Sequence, residues 1–89
     1  MSIHFPKQGK ESLLIDSMHR FGKAMEGKEG LIMAQTSKDE DRNRFIGLAI
    51  WESKESWLAA RPAMIDAVKG DPFDDWELKP PEVFHLIKV

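Results

Sequence analysis

Residues 44–57 read Arg44-Phe45-Ile46-Gly47-Leu48-Ala49-Ile50-Trp51-Glu52-Ser53-Lys54-Glu55-Ser56-Trp57, and the fold turns on how they are read. The first eight form a strand and the rest open a helix. Side chains alternate across a strand. Phe45, Gly47, Ala49 and Trp51 therefore point one way, and Ile46, Leu48 and Ile50 the other. Both sets are apolar. A single helical layer covers only one face of a sheet. An antiparallel sheet with a wet face alternates apolar and polar residues, and this strand does not. Leaving its branched side chains in water forgoes about 1.5–3 kcal/mol each. Either a second copy of the chain covers that face, or residues 73–81 fold over part of it.

Upstream, residues 31–36 read as a strand, and Ser37-Lys38-Asp39-Glu40-Asp41-Arg42-Asn43 as an exposed, solvated hairpin loop. Before them, Leu14, Met18, Phe21 and Met25 recur at spacings of four, three and four, one stripe of a helix over residues 10–26, widened by Ile15 and Gly22. Gly27 stands where a left-handed cap is expected. Residues 2–5 form a first strand, and Pro6-Lys7-Gln8-Gly9 the turn after it.

Downstream, Ser53 is an N-cap for the second helix, with Glu55 in its first turn. Trp57, Ala60, Met64 and Val68 make its stripe. Pro62 removes a backbone donor and crowds the preceding turn, which predicts a kink or a break into two helices. Residues 73–81 read as an irregular acidic segment carrying Phe73 and Trp76. Residues 82–89 read as a last strand, with Val83, His85, Ile87 and Val89 on one face. The order β-α-β-β-α-β is the ferredoxin-like split βαβ arrangement. The fold class is α+β, an antiparallel sheet with both helices on one face.

The 89 residues form a single domain, 1–89. A chain of this mass exposes roughly 5,300 Å² when folded, which leaves little reserve for a large pocket. There is no cysteine, hence no disulfide and no thiolate ligand or nucleophile. Asp39-Glu40-Asp41 and Asp74-Asp75 read as solvated loop charges, so no metal site is expected. The net charge of −2 gives no reason for a polyanionic partner. The aliphatic strand at 44–51 also lacks the basic and aromatic surface of an RNA-binding sheet. No apolar run nears the roughly 20 residues of a membrane span, and no signal-peptide pattern opens the chain. The expectation is a cytoplasmic protein with neither nucleic-acid nor membrane partners.

Gly30 leading into a strand, the charged hairpin, and the apolar strand ending in Trp51-Glu52-Ser53-Lys54-Glu55 resemble the antibiotic biosynthesis monooxygenase (ABM) family of dimeric α/β barrels. Phe5-Pro6-Lys7-Gln8-Gly9-Lys10-Glu11 is similar to that family's first strand and its turn into a helix. The resemblance implies a homodimer whose sheets close a barrel, with any ligand pocket between sheet and helices. Members include cofactor-free oxygenases of aromatic quinols, haem-degrading enzymes, and proteins without known activity. The haem-degrading pattern asks for an Asn on the first strand, where this chain has His4. It also asks for a Trp about one turn beyond Trp57, and for a later histidine on the second helix. No histidine lies between Glu52 and Asp75. Haem, and any other cofactor, is not expected.

Three histidines are the side chains that titrate near neutral pH. His4 and His85 fall on the two terminal strands, which neighbour each other in this fold. His85 shares its face with Val83 and Ile87, which predicts at least partial burial. Either histidine is a candidate catalytic base for a phenolic substrate, or a hydrogen-bonded core or interface residue. His19 adjoins the first helical stripe and reads as surface. Met18, Phe21, Trp51, Trp57, Met64 and Trp76 line a candidate pocket for a small hydrophobic or aromatic ligand, or fill the core. Trp51 reads as structural, a large ring packed under the following helix. Arg61 reaches a substrate carboxylate or carbonyl, or is solvated. Residues 73–76 form a lid or a patch that tacks down the loop. Two functions follow: a cofactor-independent monooxygenase of small aromatic or polyketide-like molecules, and a non-catalytic dimeric barrel that binds a small hydrophobic ligand or serves as an assembly module.

Overall fold

The computed structural model describes residues 1–86. The elements run β1 (Ser2–His4), α1 (Glu11–Met25), β2 (Leu31–Asp39), β3 (Arg44–Trp51), α2 (Lys54–Ala67), α3 (Phe73–Trp76) and β4 (Glu82–Val83). All pairings are antiparallel, in the order β2-β3-β1-β4. Two layers give a slab only 18 Å thin in its shortest dimension.

The strand at 44–51 is as read. Its register puts Ser2 opposite Gly47 and His4 opposite Phe45 on the helix side. Ile3 faces Ile46 on the far side. Two clusters fill the helix side. Leu14, Met18, Phe45 and Trp76 form one, joined by Ile15 and Phe73. Met25, Ala60 and Met64 form the other, with Phe21, Leu31, Ala49, Trp51 and Trp57 packed against it. Ser53 caps α2 by accepting from the Ser56 N–H at 3.1 Å.

Four expectations need correction. Residues 73–81 do not cross the far face of the sheet: residues 73–76 form a helical turn, and Trp76 is buried under α1. Among the described residues nothing covers Ile46, Leu48 and Ile50, and Ile50 is 43% exposed. Of the kink or break expected at Pro62, the break is absent: α2 runs unbroken from Lys54 to Ala67. Pro62 and Leu58 are on the exposed side, so the carbonyl that loses its helical donor is met by water. β2 continues to Asp39 rather than ending at Thr36. Asp39 is no idle loop charge: it accepts from Arg44 Nε at 2.9 Å, Arg42 Nη1 at 3.3 Å and the Asp41 N–H at 3.1 Å. The Arg44 bond, helped by the other two, holds its carboxyl below the usual range. Last, the described part of the final strand is short. Pairing covers Glu82–Val83, and Met1 and Phe84 then exchange backbone bonds at 2.8 and 2.9 Å. The expected strand residues Ile87, Lys88 and Val89 lie outside the described residues.

A second tie was not anticipated. Ser17, inside the apolar stripe of α1, donates to Asp71 at 2.6 Å. Arg20 grips the same carboxylate at 3.0 and 3.4 Å and the Ala67 carbonyl at 3.1 Å. Burial pushes the Asp71 carboxyl up, but the bonds from Ser17 and Arg20 outweigh it and its pKa is lowered. Its contribution to stability is thus complete above the unfolded-state pKa and is lost as pH falls through the folded value. The cluster fixes the end of α2 to the middle of α1.

Candidate functional site

β1 sends the side chains of Ser2 and His4 to the helix side, two residues apart on one face. There the His4 ring is held at both nitrogens. Nδ1 lies 3.2 Å from Glu77 Oε1, and Nε2 lies 3.1 Å from Ser2 Oγ. Glu77 arrives from the segment after α3. That segment is clamped to the exit of β1 by backbone bonds from Lys7 N to the Trp76 carbonyl and from Leu78 N to the Phe5 carbonyl, both 2.8 Å. Glu77 Oε1 also accepts from the Phe5 N–H at 3.1 Å. The Glu77 side chain is 2% exposed and that of His4 14%. Among the described residues Glu77 Oε2, which is buried, has no partner.

A carboxylate on Nδ1 favours the tautomer with the proton on Nδ1, which leaves Nε2 as the acceptor. This follows from the hydrogen-bond network rather than from hydrogen positions. The arrangement therefore holds a base, a carboxylate that orients it, and a hydroxyl at the basic nitrogen. Sequence reading singled out His4 and passed over Glu77. The available signal was an acidic residue immediately after a large apolar one, Trp76-Glu77, next to a segment read as a lid or as a patch that tacks down the loop. The partner 73 positions away is a tertiary fact.

The other candidates fall elsewhere. His85 is exposed, against the expectation of burial, because β4 is an edge strand whose described pairing has ended there; Val83 on the same face is 59% exposed. The His85 ring meets the edge of Trp57, centroids 4.7 Å apart. Arg61 is exposed and lies 5.8 Å from the centroid of the same indole. The β1–β4 register puts His4 and His85 at opposite ends of β1, four rungs or about 13 Å apart. They do not form one site. His19 is exposed, as read.

Of the candidate pocket residues, Met18 and Trp76 pack in the first cluster, on the side of His4. Phe21, Trp51, Trp57 and Met64 pack in the second. The Trp51 indole N–H is buried and has no partner among the described residues. Two cavities have other linings. One of about 280 Å³ lies between Lys28-Glu29 and the start of α2, at Glu55, Ser56, Ala59 and Ala60. The other, about 170 Å³, lies between α3 and Pro80-Pro81, with Glu77 in its wall. Among the described residues, no three His, Asp or Glu side chains converge as a metal site would require. No helix there is long and apolar enough to cross a membrane.

The architecture is shared with solved structures. Rv0793 from Mycobacterium tuberculosis superposes with a TM-score of 0.84, covering 99% of this chain and 90% of that one at 12% identity. A candidate antibiotic biosynthesis monooxygenase from Nitrosomonas europaea superposes with a TM-score of 0.72, covering 91% of this chain and 86% of that one at 14% identity. No protein-family model matches the sequence, and no curated protein matches it. The chain thus has the ferredoxin-like fold seen in ABM-like proteins. Identities this low carry the fold and not the residues of a site.

Proposed function

We propose that two copies of this chain pair through their open sheet faces into an α/β barrel, and that each subunit is a cofactor-independent oxygenase of a small aromatic or polyketide-like molecule. The observation that carries the chemistry is the His4–Glu77 pair. In this reading a phenolic hydroxyl takes the place of Ser2 Oγ at His4 Nε2 and gives up its proton there. Glu77 stabilises the imidazolium that results. The carbanion form of the substrate ring attacks dioxygen; one oxygen stays as a carbonyl and the other leaves as water. In this reading the ring packs against Met18 and Trp76, the cluster on the side of His4. The name of the Nitrosomonas protein supports this class of chemistry by analogy of fold alone.

Oxygen uptake with a panel of quinols tests it. His4→Ala is expected to lose 10²-fold or more, the usual scale of general base catalysis, and His85→Ala to keep full activity. Equal uptake by the wild type and the His4→Ala/His85→Ala double variant would eliminate the histidine mechanism. A second reading, a barrel that binds or assembles without turnover, is favoured by the close packing of Phe21, Trp51, Trp57 and Met64 in one cluster. Binding of an aromatic ligand with no oxygen consumption by any panel member would select it.

The dimer has its own support. One chain exposes 6400 Å², against roughly 5,300 Å² for a folded monomer of this mass. The excess is on the scale of the ~800 Å² that each partner buries in a standard interface. Ile3, Ile46, Leu48, Ile50 and Met33 share the uncovered face. Sedimentation at micromolar concentration should give about twice the chain mass of 10.2 kDa. Leu48→Lys/Ile50→Lys should sediment as a monomer. A wild type that runs as a single 10 kDa species would remove the dimer.

A further inference from the structure

We infer that Ser2, His4 and Glu77 form a nucleophilic relay, and that Ser2 Oγ accepts the acyl group of a small activated ester. Nucleophile, base and orienting acid lie in hydrogen-bonded sequence: Oγ to Nε2 at 3.1 Å, Nδ1 to Oε1 at 3.2 Å. That order of roles, rather than any sequence position, defines such a relay. The acid is fixed independently of the histidine, because the Phe5 N–H also binds Oε1 at 3.1 Å. The flank of the hydroxyl is kept clear by Gly47, where a Cβ would stand 2.8 Å from Ser2 Oγ. Ser2 itself is half-buried rather than sealed.

The step balances without an oxidant or reductant. Ser2 Oγ forms a bond to the acyl carbon and its proton moves to His4 Nε2. The ester C–O bond breaks, and the leaving alkoxide or phenoxide takes that proton and departs as the alcohol or phenol. Water then repeats the sequence, releasing the acid and restoring Ser2. An ester with a good leaving group asks least of hydrogen-bond donors at its acyl oxygen. Small esters with good leaving groups are therefore the class it takes.

The reaction needs neither dioxygen nor quinol, so its outcome is separate from that of the oxygenase reading. The full chain is incubated with a fluorophosphonate and, separately, with p-nitrophenyl acetate. The modified residue is located by peptide mass mapping, and hydroxylamine lability separates a serine ester from an acylated terminal amine. The expected result is a stoichiometric adduct on Ser2, absent in Ser2→Ala and formed 10²-fold or more slowly in His4→Ala. Glu77→Gln is expected to label about tenfold more slowly. His4→Asn serves as a second base-deleted variant if His4→Ala fails to fold. Labelling of Ser2 at equal rates in the wild type and a folded His4 variant would overturn the relay, as would no Ser2 adduct in the wild type.

Discussion

Gly30→Ala is expected to lower the stability of the fold by about 4 kcal/mol, the largest effect of any glycine-to-alanine change in this chain. Two costs combine. Gly30 has φ +87°, a left-handed conformation that costs a side-chain-bearing residue about 1–2 kcal/mol. A Cβ there would also land on the Cβ and Oγ of Ser56, and overpacking of this kind typically costs about 1–3 kcal/mol. Neither party has room to retreat. Gly30 accepts from the Glu52 N–H at 2.7 Å, and Ser56 is held in the first turn of α2 through its N–H and Oγ, both on Ser53 Oγ. The start of β2 is thus pressed against the start of α2, and only a residue without a side chain fits between. For a domain of this size 1 kcal/mol moves the melting temperature by about 4–8 °C, so the loss should reach roughly 15–30 °C by circular dichroism. Adding Ser56→Gly should restore the steric share and leave the conformational one. A melting temperature within a few degrees of wild type for Gly30→Ala would show the contact to be soft and the argument wrong.

The same region shows what could be read ahead of the structure. The strand at 44–51 follows from a short continuous apolar run, α1 from helical spacing and the start of α2 from the Ser53 cap, signals that act over a few residues. The resemblance drawn from Gly30 and Trp51–Glu55 has a physical basis in the packing just described. The misreadings arose where a distant partner or the solvent decided. Pro62 read as a kink or a break, but it lies on the exposed side of an unbroken α2, where water can donate to the freed carbonyl. Residues 73–81 looked loose because their order comes from contacts with α1 and β1. His85 looked buried because alternation was extended past the described end of pairing. Ser17 was passed over inside the α1 stripe because its partner, Asp71, lies 54 positions away. The candidate site was half legible: a histidine on β1 was visible, and the carboxylate that gives it a role was not.

That carboxylate supports the second large expectation: Glu77→Ala should cost about 3 kcal/mol. Removing it leaves the Phe5 N–H, and with it His4 Nδ1, without the Glu77 acceptor, and a buried unpaired donor costs about 1–3 kcal/mol. The side chain is 2% exposed, so water cannot readily substitute. Glu77→Gln should cost much less, about 1 kcal/mol. Its amide oxygen can still accept both bonds, and its NH2 falls where Oε2 already lacks a partner, exchanging one unmet group for another. Urea unfolding should therefore rank wild type, then Gln, then Ala, with unchanged slopes. An Ala variant as stable as wild type would show that Glu77 does not hold residues 73–78 to β1. The Gln variant is the informative one for function. It keeps the fold and the tautomer of His4 but removes the negative charge that balances an imidazolium. A loss of oxygen uptake or of Ser2 labelling in a Gln variant that unfolds near the wild-type urea midpoint therefore reports on the charge of Glu77, and not on the packing it secures.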